Sequence, residues 1–68
     1  MSDDFREIAN YELPYSRKAE LREVSFDGGM KMLRLILREG RRITQVDLDA
    51  DSAMALSDAM GDWAKVQN

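Results

Sequence analysis

The most regular pattern in the chain is the alternation of apolar side chains over residues 30–38. Leu33, Leu35 and Leu37 have the same parity, so they fall on one face of an extended strand. The opposite face mixes apolar and cationic side chains, namely Met30, Met32, Arg34, Ile36 and Arg38. Glycine-containing segments flank the run on both sides. The pattern predicts the middle strand of a small sheet, with a core-forming leucine face and a second, mixed face.

A strand is also predicted before this run, over about residues 18–26. Leu21 and Val24 have opposite parity, so a β-bulge is expected between them that brings both onto the leucine face. The segment Asp27-Gly28-Gly29 closes the hairpin, because glycine adopts the positive φ of tight turns. A two-residue loop can consist either of Asp27 and Gly28 or of Gly28 and Gly29. Both placements put Val24 and Phe26 on the leucine face.

A third strand is predicted over residues 42–48. A two-residue loop of Glu39 and Gly40 is expected before it. That loop pairs Ile36 with Ile43, which keeps apolar side chains opposite each other. In this register the core-facing residues of the strand are Val46 and Leu48.

Residues 50–66 are predicted to form a helix. Asp49 precedes them, and its carboxylate can accept hydrogen bonds from the free amides of the first turn. Apolar side chains at helical spacing form one stripe that is expected to cover the leucine face. The stripe consists of Ala53, Leu56, Met60 and Trp63. Gly61 costs about 1 kcal/mol relative to alanine inside a helix, which indicates either close packing against a backbone or a poor position tolerated near the helix end, and the first is favoured.

Residues 1–16 are predicted to form a partly ordered N-terminal arm. Tyr11, Leu13 and Tyr15 alternate with polar residues and proline, which indicates an extended segment. Pro14 has no amide hydrogen to donate to a ladder. The segment is therefore expected at a sheet edge or in an arm that crosses the sheet.

These elements define an α+β fold with β-β-β-α order in one domain over residues 17–68. The sheet is a three-stranded antiparallel meander with the helix packed on one face. A chain of 68 residues buries only about 60% of the surface that it exposes when unfolded. It has no cysteine and no histidine, so neither a disulfide nor a thiolate zinc site can support the core. Oligomerisation is the remaining common means of stabilisation.

The net charge of −3 is unevenly distributed. Residues 17–42 are net basic, and both flanking segments are net acidic. A basic hairpin suits an anionic partner, and it also suits acidic flanks that fold back on a basic sheet. The second interpretation is favoured, because interleaved surface charge is normal in small soluble domains. The start of the chain lacks the features of a signal peptide, and no segment reaches the length of a membrane span. A cytoplasmic protein without membrane contact is expected.

Neither a metal nor a cofactor is expected, and enzymatic activity is not expected either. The acidic residues from Asp47 onward have the spacing of a calcium-binding loop, but Ser52 stands where the sharp turn requires glycine. Without histidine or cysteine, the chain lacks the usual pairs of nucleophile and base. A chain of this length also has little volume for a concave pocket.

The mixed face is the expected interaction surface. Methionines and isoleucines flanked by arginines suit contact with a protein, either a second copy of the chain or an unknown partner, unless the N-terminal arm covers them. The same arginines can neutralise phosphates, so binding of single-stranded nucleic acid through the basic hairpin is the alternative function. The residues of this expected surface are Met30, Met32, Arg34, Ile36, Arg38, Arg41, Ile43 and Gln45.

Four segments are distinctive in combination, namely Glu12-Leu13-Pro14-Tyr15, Glu20-Leu21-Arg22-Glu23-Val24, Leu37-Arg38-Glu39-Gly40-Arg41-Arg42 and Val46-Asp47-Leu48-Asp49. In these segments the chain resembles an uncharacterised family of short bacterial proteins, and this resemblance covers nearly the whole chain without implying an activity. A second set consists of Arg38-Glu39-Gly40-Arg41-Arg42-Ile43 and of Leu48-Asp49 leading into the helix. In this set the chain is more weakly similar to the strand-strand-strand-helix unit of the transcriptional positive-cofactor type of single-stranded-DNA-binding domain. That similarity implies nucleic acid as the alternative ligand.

Overall fold

A computed structural model describes residues 4–67 of the chain. They form an antiparallel meander, in which each strand pairs with its neighbour in sequence, followed by one helix. The α+β class and the C-terminal helix are therefore confirmed. The elements are β1 (Asp4–Leu13), β2 (Arg17–Ser25), β3 (Lys31–Glu39), β4 (Arg42–Leu48) and α1 (Ala50–Lys65).

The sheet has four strands, so the expectation of three strands is wrong. The additional strand is β1, an edge strand that takes up most of the expected arm and pairs with β2 along its length. Pro14 lies just after β1, in the turn, where a missing amide hydrogen interrupts no ladder. The turn continues through Tyr15 and Ser16, which have φ angles of 65° and 61°. Proline thus ends the strand instead of excluding it.

The connection between β2 and β3 has one residue more than expected. Asp27–Gly29 forms a 3-10 turn, and the Phe26 amide donates a hydrogen bond to the Met30 carbonyl at 2.8 Å. The additional loop residue shifts the pairing by one, and such a shift reverses the faces. Val24 consequently pairs with Met32. The expected position of Val24 and Phe26 on the leucine face is wrong, because they have the parity of the mixed face.

A β-bulge is present in β1 rather than in β2. The pairing of β1 with β2 shifts between Glu7 and Ala9, which leaves Ile8 without a direct partner. β2 pairs with β3 without interruption, so Leu21 and Val24 lie on opposite faces. An edge strand accommodates the additional residue more readily, since it has a neighbour on one side only.

In the hairpin of β3 and β4, the side chains lie on their predicted faces, although the strands pair in a register that differs from the predicted one. Its loop consists of Gly40 and Arg41, and Gly40 has the positive φ of 61° that a tight hairpin requires. Ile36 pairs with Gln45, so its expected pairing with Ile43 is wrong by two residues. An even shift leaves every side chain on its face. The predicted leucine-face positions are therefore confirmed for Val46 and Leu48.

The helix α1 begins at the predicted residue and ends one residue before the predicted end. The Asp49 carboxylate caps it by accepting a hydrogen bond from the Ser52 amide at 2.8 Å. The Ser52 hydroxyl is the main cause that lowers the pKa of Asp49 below its ordinary value, and the hydrogen bond from the Ser52 amide lowers it further. Apart from neighbouring backbone, no atom lies within 4 Å of the point that a Cβ on Gly61 would occupy. The expected close packing at Gly61 is wrong.

The buried core of the described residues is very small. Val24 and Ile36 are its two buried hydrophobic residues, with exposures of 1% and 3%. Both lie on the mixed face. The leucine face was expected to form the core, but its leucines are only half-buried, and α1 contributes no buried residue.

Candidate interaction surfaces

The mixed face gathers most of the residues that the sequence assigns to an interaction surface. Six of them lie in β3 and β4 and share this face: Met32, Arg34, Ile36, Arg38, Ile43 and Gln45. The other two lie outside the strands. Met30 follows the 3-10 turn at one end of the sheet, and Arg41 lies in the hairpin loop at the other end. Together the eight residues extend from one end of the sheet to the other.

Glu20 binds two arginines at the centre of the mixed face. Its Oε2 accepts a hydrogen bond from Arg38 Nε at 2.8 Å, and its Oε1 accepts one from Arg22 Nη2 at 2.9 Å. The hydrogen bond from Arg38 is the main reason that the pKa of Glu20 lies below its ordinary value. The Arg22 guanidinium also lies 5.2 Å from the centre of the Phe5 ring, within the range of a cation–π contact.

A second ion pair, between an arginine and an aspartate, lies at the β4 side of this face. Arg34 donates from Nε and Nη2 to the two carboxylate oxygens of Asp47, at 2.8 and 3.0 Å. This bidentate contact holds the pKa of Asp47 below its ordinary value. Sequence reasoning missed Glu20 and Asp47 as partners, because only the strand register places them beside the arginines.

Acidic residues from β1, β2 and β4 balance the basic charge of the mixed face. By strand register the basic side chains on this face are Lys18, Arg22, Arg34 and Arg38, and the acidic ones are Glu7, Glu12, Glu20 and Asp47. The two signs are equal in number. Of the two interpretations of the uneven charge, the arrangement matches the one in which acidic flanks neutralise a basic sheet.

The chain itself covers the apolar centre of the mixed face. Ile36 is buried although the helix lies on the opposite face, and its Cα partners Glu20 and Gln45 carry long polar side chains. The aliphatic stems of such side chains cover apolar surface while their polar ends stay in water. This cover removes much of the reason for a partner at the mixed face, whose role as an interaction surface stays a prediction.

The leucine face is apolar and only partly covered. α1 contacts β3 and β4 and leaves a cleft between helix and sheet. The cleft is lined by Leu21, Leu33, Leu35, Leu48, Ala53, Leu56, Ser57 and Met60. The β1 side of this face lies beyond the helix, and its apolar side chains Ile8, Tyr11 and Leu13 are exposed.

One helix is too narrow for a sheet of this width. Four strands at about 4.8 Å spacing make a sheet roughly 19 Å wide, whereas a helix with its side chains is about 10 Å across. Only part of the predicted stripe therefore packs against the sheet, since Met60 and Trp63 are 64% and 68% exposed. The sequence identifies the stripe, but it does not predict β1. The part of the sheet that the helix leaves uncovered can therefore not be recognised from the sequence.

Neither a metal centre nor a membrane helix is found within residues 4–67. No group of three or more acidic side chains there is placed to hold a metal ion. Among the same residues, no helix has both the length and the apolar character needed to cross a membrane.

Comparison with known proteins gives one finding. The model of a family of unknown function (DUF6967) matches residues 2–66. No curated protein and no solved structure gives a match. The resemblance to an uncharacterised family is confirmed, whereas the weaker similarity to single-stranded-DNA-binding domains stays a prediction.

Proposed function

The chain belongs to this family of unknown function, and because membership assigns no activity, we propose from its surfaces that it is a small, non-enzymatic protein-interaction module. The apolar surface that one helix leaves uncovered on the leucine face carries this proposal. The exposed side chains include Ile8, Tyr11 and Leu13 in β1 and Leu56, Met60 and Trp63 in α1. Exposed apolar side chains grouped on one face are typical of protein-binding sites.

The chemistry of the leucine face also suits contact with a protein. Tyr11, Met60 and Trp63 belong to the residue types that are enriched at interfaces. Charged pairs at the margins of the same face supply the polar rim that such interfaces have. Arg6 Nη2 lies 3.4 Å from Glu23 Oε1, and Arg17 Nε lies 2.6 Å from Glu39 Oε2.

Photo-crosslinking in living cells tests this function. A photoreactive amino acid at Tyr11 or at Met60 is expected to give discrete adducts with protein. The same amino acid at Met54 is the matched control, because Met54 is equally exposed but lies off the stripe of α1. Absence of protein adducts at both test positions would overturn the proposal.

Single-stranded nucleic acid is the second candidate partner, and one observation favours it. The turn of residues 14–16 and the loop of Gly40 and Arg41 lie at the same end of the sheet. Tyr15 is 87% exposed there, and the Arg17 guanidinium lies 5.8 Å from the centre of its ring. Within residues 4–67, Arg41 and Arg42 form no ion pair at this end. An exposed aromatic ring beside cations can stack on a base while the cations meet phosphates.

Fluorescence anisotropy of a labelled oligonucleotide tests this second candidate. Binding is expected to weaken steeply as salt rises, since phosphate contacts release counterions. The double variant Arg41→Glu with Arg42→Glu should abolish binding, whereas Lys65→Glu in α1 should leave it unchanged. An oligonucleotide that shows no anisotropy change in low-salt buffer would exclude this function.

A further inference from the structure

We propose that the partner on the leucine face is a second copy of this chain, related to the first by a two-fold axis. The exposed stripe of α1 in each copy covers the β1 side of the other copy's leucine face. This inference rests on the proposed function and names its partner. A two-fold contact is self-complementary, because each copy offers both the stripe and the uncovered sheet.

The accessible surface of the single chain is too large for a compact monomer. The chain has a mass of 7.8 kDa and exposes 5704 Å². A folded monomer of that mass exposes about 4,400 Å², so the excess is about 1,300 Å². Each subunit of an obligate dimer contributes about 1,000 to 2,500 Å² to the interface. The excess therefore matches the area that one subunit would bury.

The dimensions of the chain agree with this area. Its radius of gyration is 13.8 Å, and its longest dimension is 46 Å. A compact domain of this length has a radius of gyration of about 11 Å. The difference reflects an open arrangement in which the sheet and the helix present apolar surface that they do not bury against each other.

The two uncovered regions belong to different elements of one chain, and they complement each other. The sheet has room for two helices side by side, because it is roughly 19 Å wide and one helix covers about 10 Å. α1 of the same chain contacts β3 and β4. The β1 side is left for the helix of the second copy, whose Met60 and Trp63 are exposed. Two copies thus complete each other without a third component.

The small core gives a further reason for a second copy. Within the described residues, only Val24 and Ile36 are buried hydrophobic residues, and the chain has no cysteine. Small domains without disulfides or metals commonly gain the missing buried surface by association. A dimer through the leucine face would bury the half-exposed leucines of both copies.

Sedimentation of the pure, unmodified protein is the first test. We expect a species of about twice the monomer mass at micromolar concentration, and a melting temperature that rises with protein concentration. A species of 7.8 kDa at every concentration, with a constant melting temperature, would overturn the dimer.

Two methionines of α1 provide a matched pair of variants. Met60 and Met54 are 64% and 62% exposed in the single chain, but only Met60 lies on the stripe. Met60→Lys should weaken dimerisation about tenfold or more, because a buried interface position would then carry a charge. Met54→Lys should leave the dissociation constant unchanged. Equal dissociation constants for the two variants would contradict the proposed contact.

Met60 also lines the cleft of its own chain, so Met60→Lys can disturb folding as well as dimerisation. A substitution in the sheet provides a second test for that case. Tyr11 lies on the β1 side, beyond the helix of its own chain. Tyr11→Lys should dissociate the dimer while circular dichroism shows an unchanged helix content. A dimer that survives this substitution overturns the proposal.

The combination with crosslinking separates this inference from the proposed function. A chain that sediments as a monomer but forms adducts with other proteins at Met60 would overturn the dimer and leave the interaction module intact. A monomer without any protein adduct would overturn both.

Discussion

Glu20 is the single residue on which the polar structure of the mixed face depends most. Its carboxylate accepts hydrogen bonds from both Arg22 and Arg38, and its side chain is only 15% exposed. The three side chains lie around the buried Ile36, so they combine ionic contact with cover of apolar surface. The sequence contains all four residues, but only the register of β2 and β3 reveals that they meet.

Glu20→Gln should lower the stability of the protein at neutral pH, because it removes a negative charge between two guanidinium groups. The pKa of Glu20 is lowered in the folded state, so the stabilisation is present above the ordinary value of 4.5 and is lost as the pH falls through the lower folded-state value. Urea unfolding at several pH values should therefore show a weaker acid dependence in the variant. Glu7→Gln on the same face is the control, and an identical pH dependence for both variants would contradict the role of Glu20.

Ile36 and Ile43 offer a matched comparison of buried and exposed positions on the mixed face. Ile36 is 3% exposed and Ile43 is 51% exposed. Ile36→Ala should lower the free energy of unfolding by about 2 to 5 kcal/mol, as large-to-small substitutions in cores do. Ile43→Ala should lower it by less than about 1 kcal/mol, which urea denaturation at fixed protein concentration can measure. A large loss at Ile43 would indicate that a partner covers the mixed face after all.

At the scale of the elements, the sequence predicts strand and helix positions better than it predicts loops. The alternation around Leu35 and the cap at Asp49 depend on local geometry, and both are confirmed. Loop length is different, because the glycines at 28 and 29 show where positive φ is allowed but not how many residues the turn contains. One additional residue moved Val24 to the other face. In the next hairpin, a shift of two residues had no effect on the faces.

The contribution of α1 to stability can be tested at Gly61. Gly61→Ala should raise the free energy of unfolding by about 1 kcal/mol, because alanine restricts the unfolded chain and no atom of the single chain obstructs its methyl group. Thermal or urea unfolding measures the change. Gly28→Ala is the opposite control, since its φ of 89° strains any other residue and should lower stability. A loss of stability at Gly61 would mean that a second chain packs closely against this turn of α1.

For the whole molecule, the number of strands decides which face needs a partner. A three-stranded sheet would be nearly covered by one helix, and the mixed face would then be the natural site for a partner. The strand β1 changes this balance, because it widens the leucine face and brings Glu7 and Glu12 to the mixed face. The sequence grouped the residues of the mixed face largely correctly. The uncovered part of the leucine face could not be identified, because Pro14 made the β1 segment look like an arm and not like a strand.

Trp63 reports directly on the state of the whole molecule, because it is the only tryptophan of the chain. It is 68% exposed in the single chain and belongs to the stripe that the second copy would cover. Its fluorescence should therefore be quenched by acrylamide less efficiently at high protein concentration than at low concentration, with emission shifted to shorter wavelength. Met60→Lys should show efficient quenching at all concentrations, whereas Met54→Lys should behave like the unmodified protein. Equally efficient quenching of the unmodified protein across the concentration range would show that Trp63 stays in water and that no second copy covers α1.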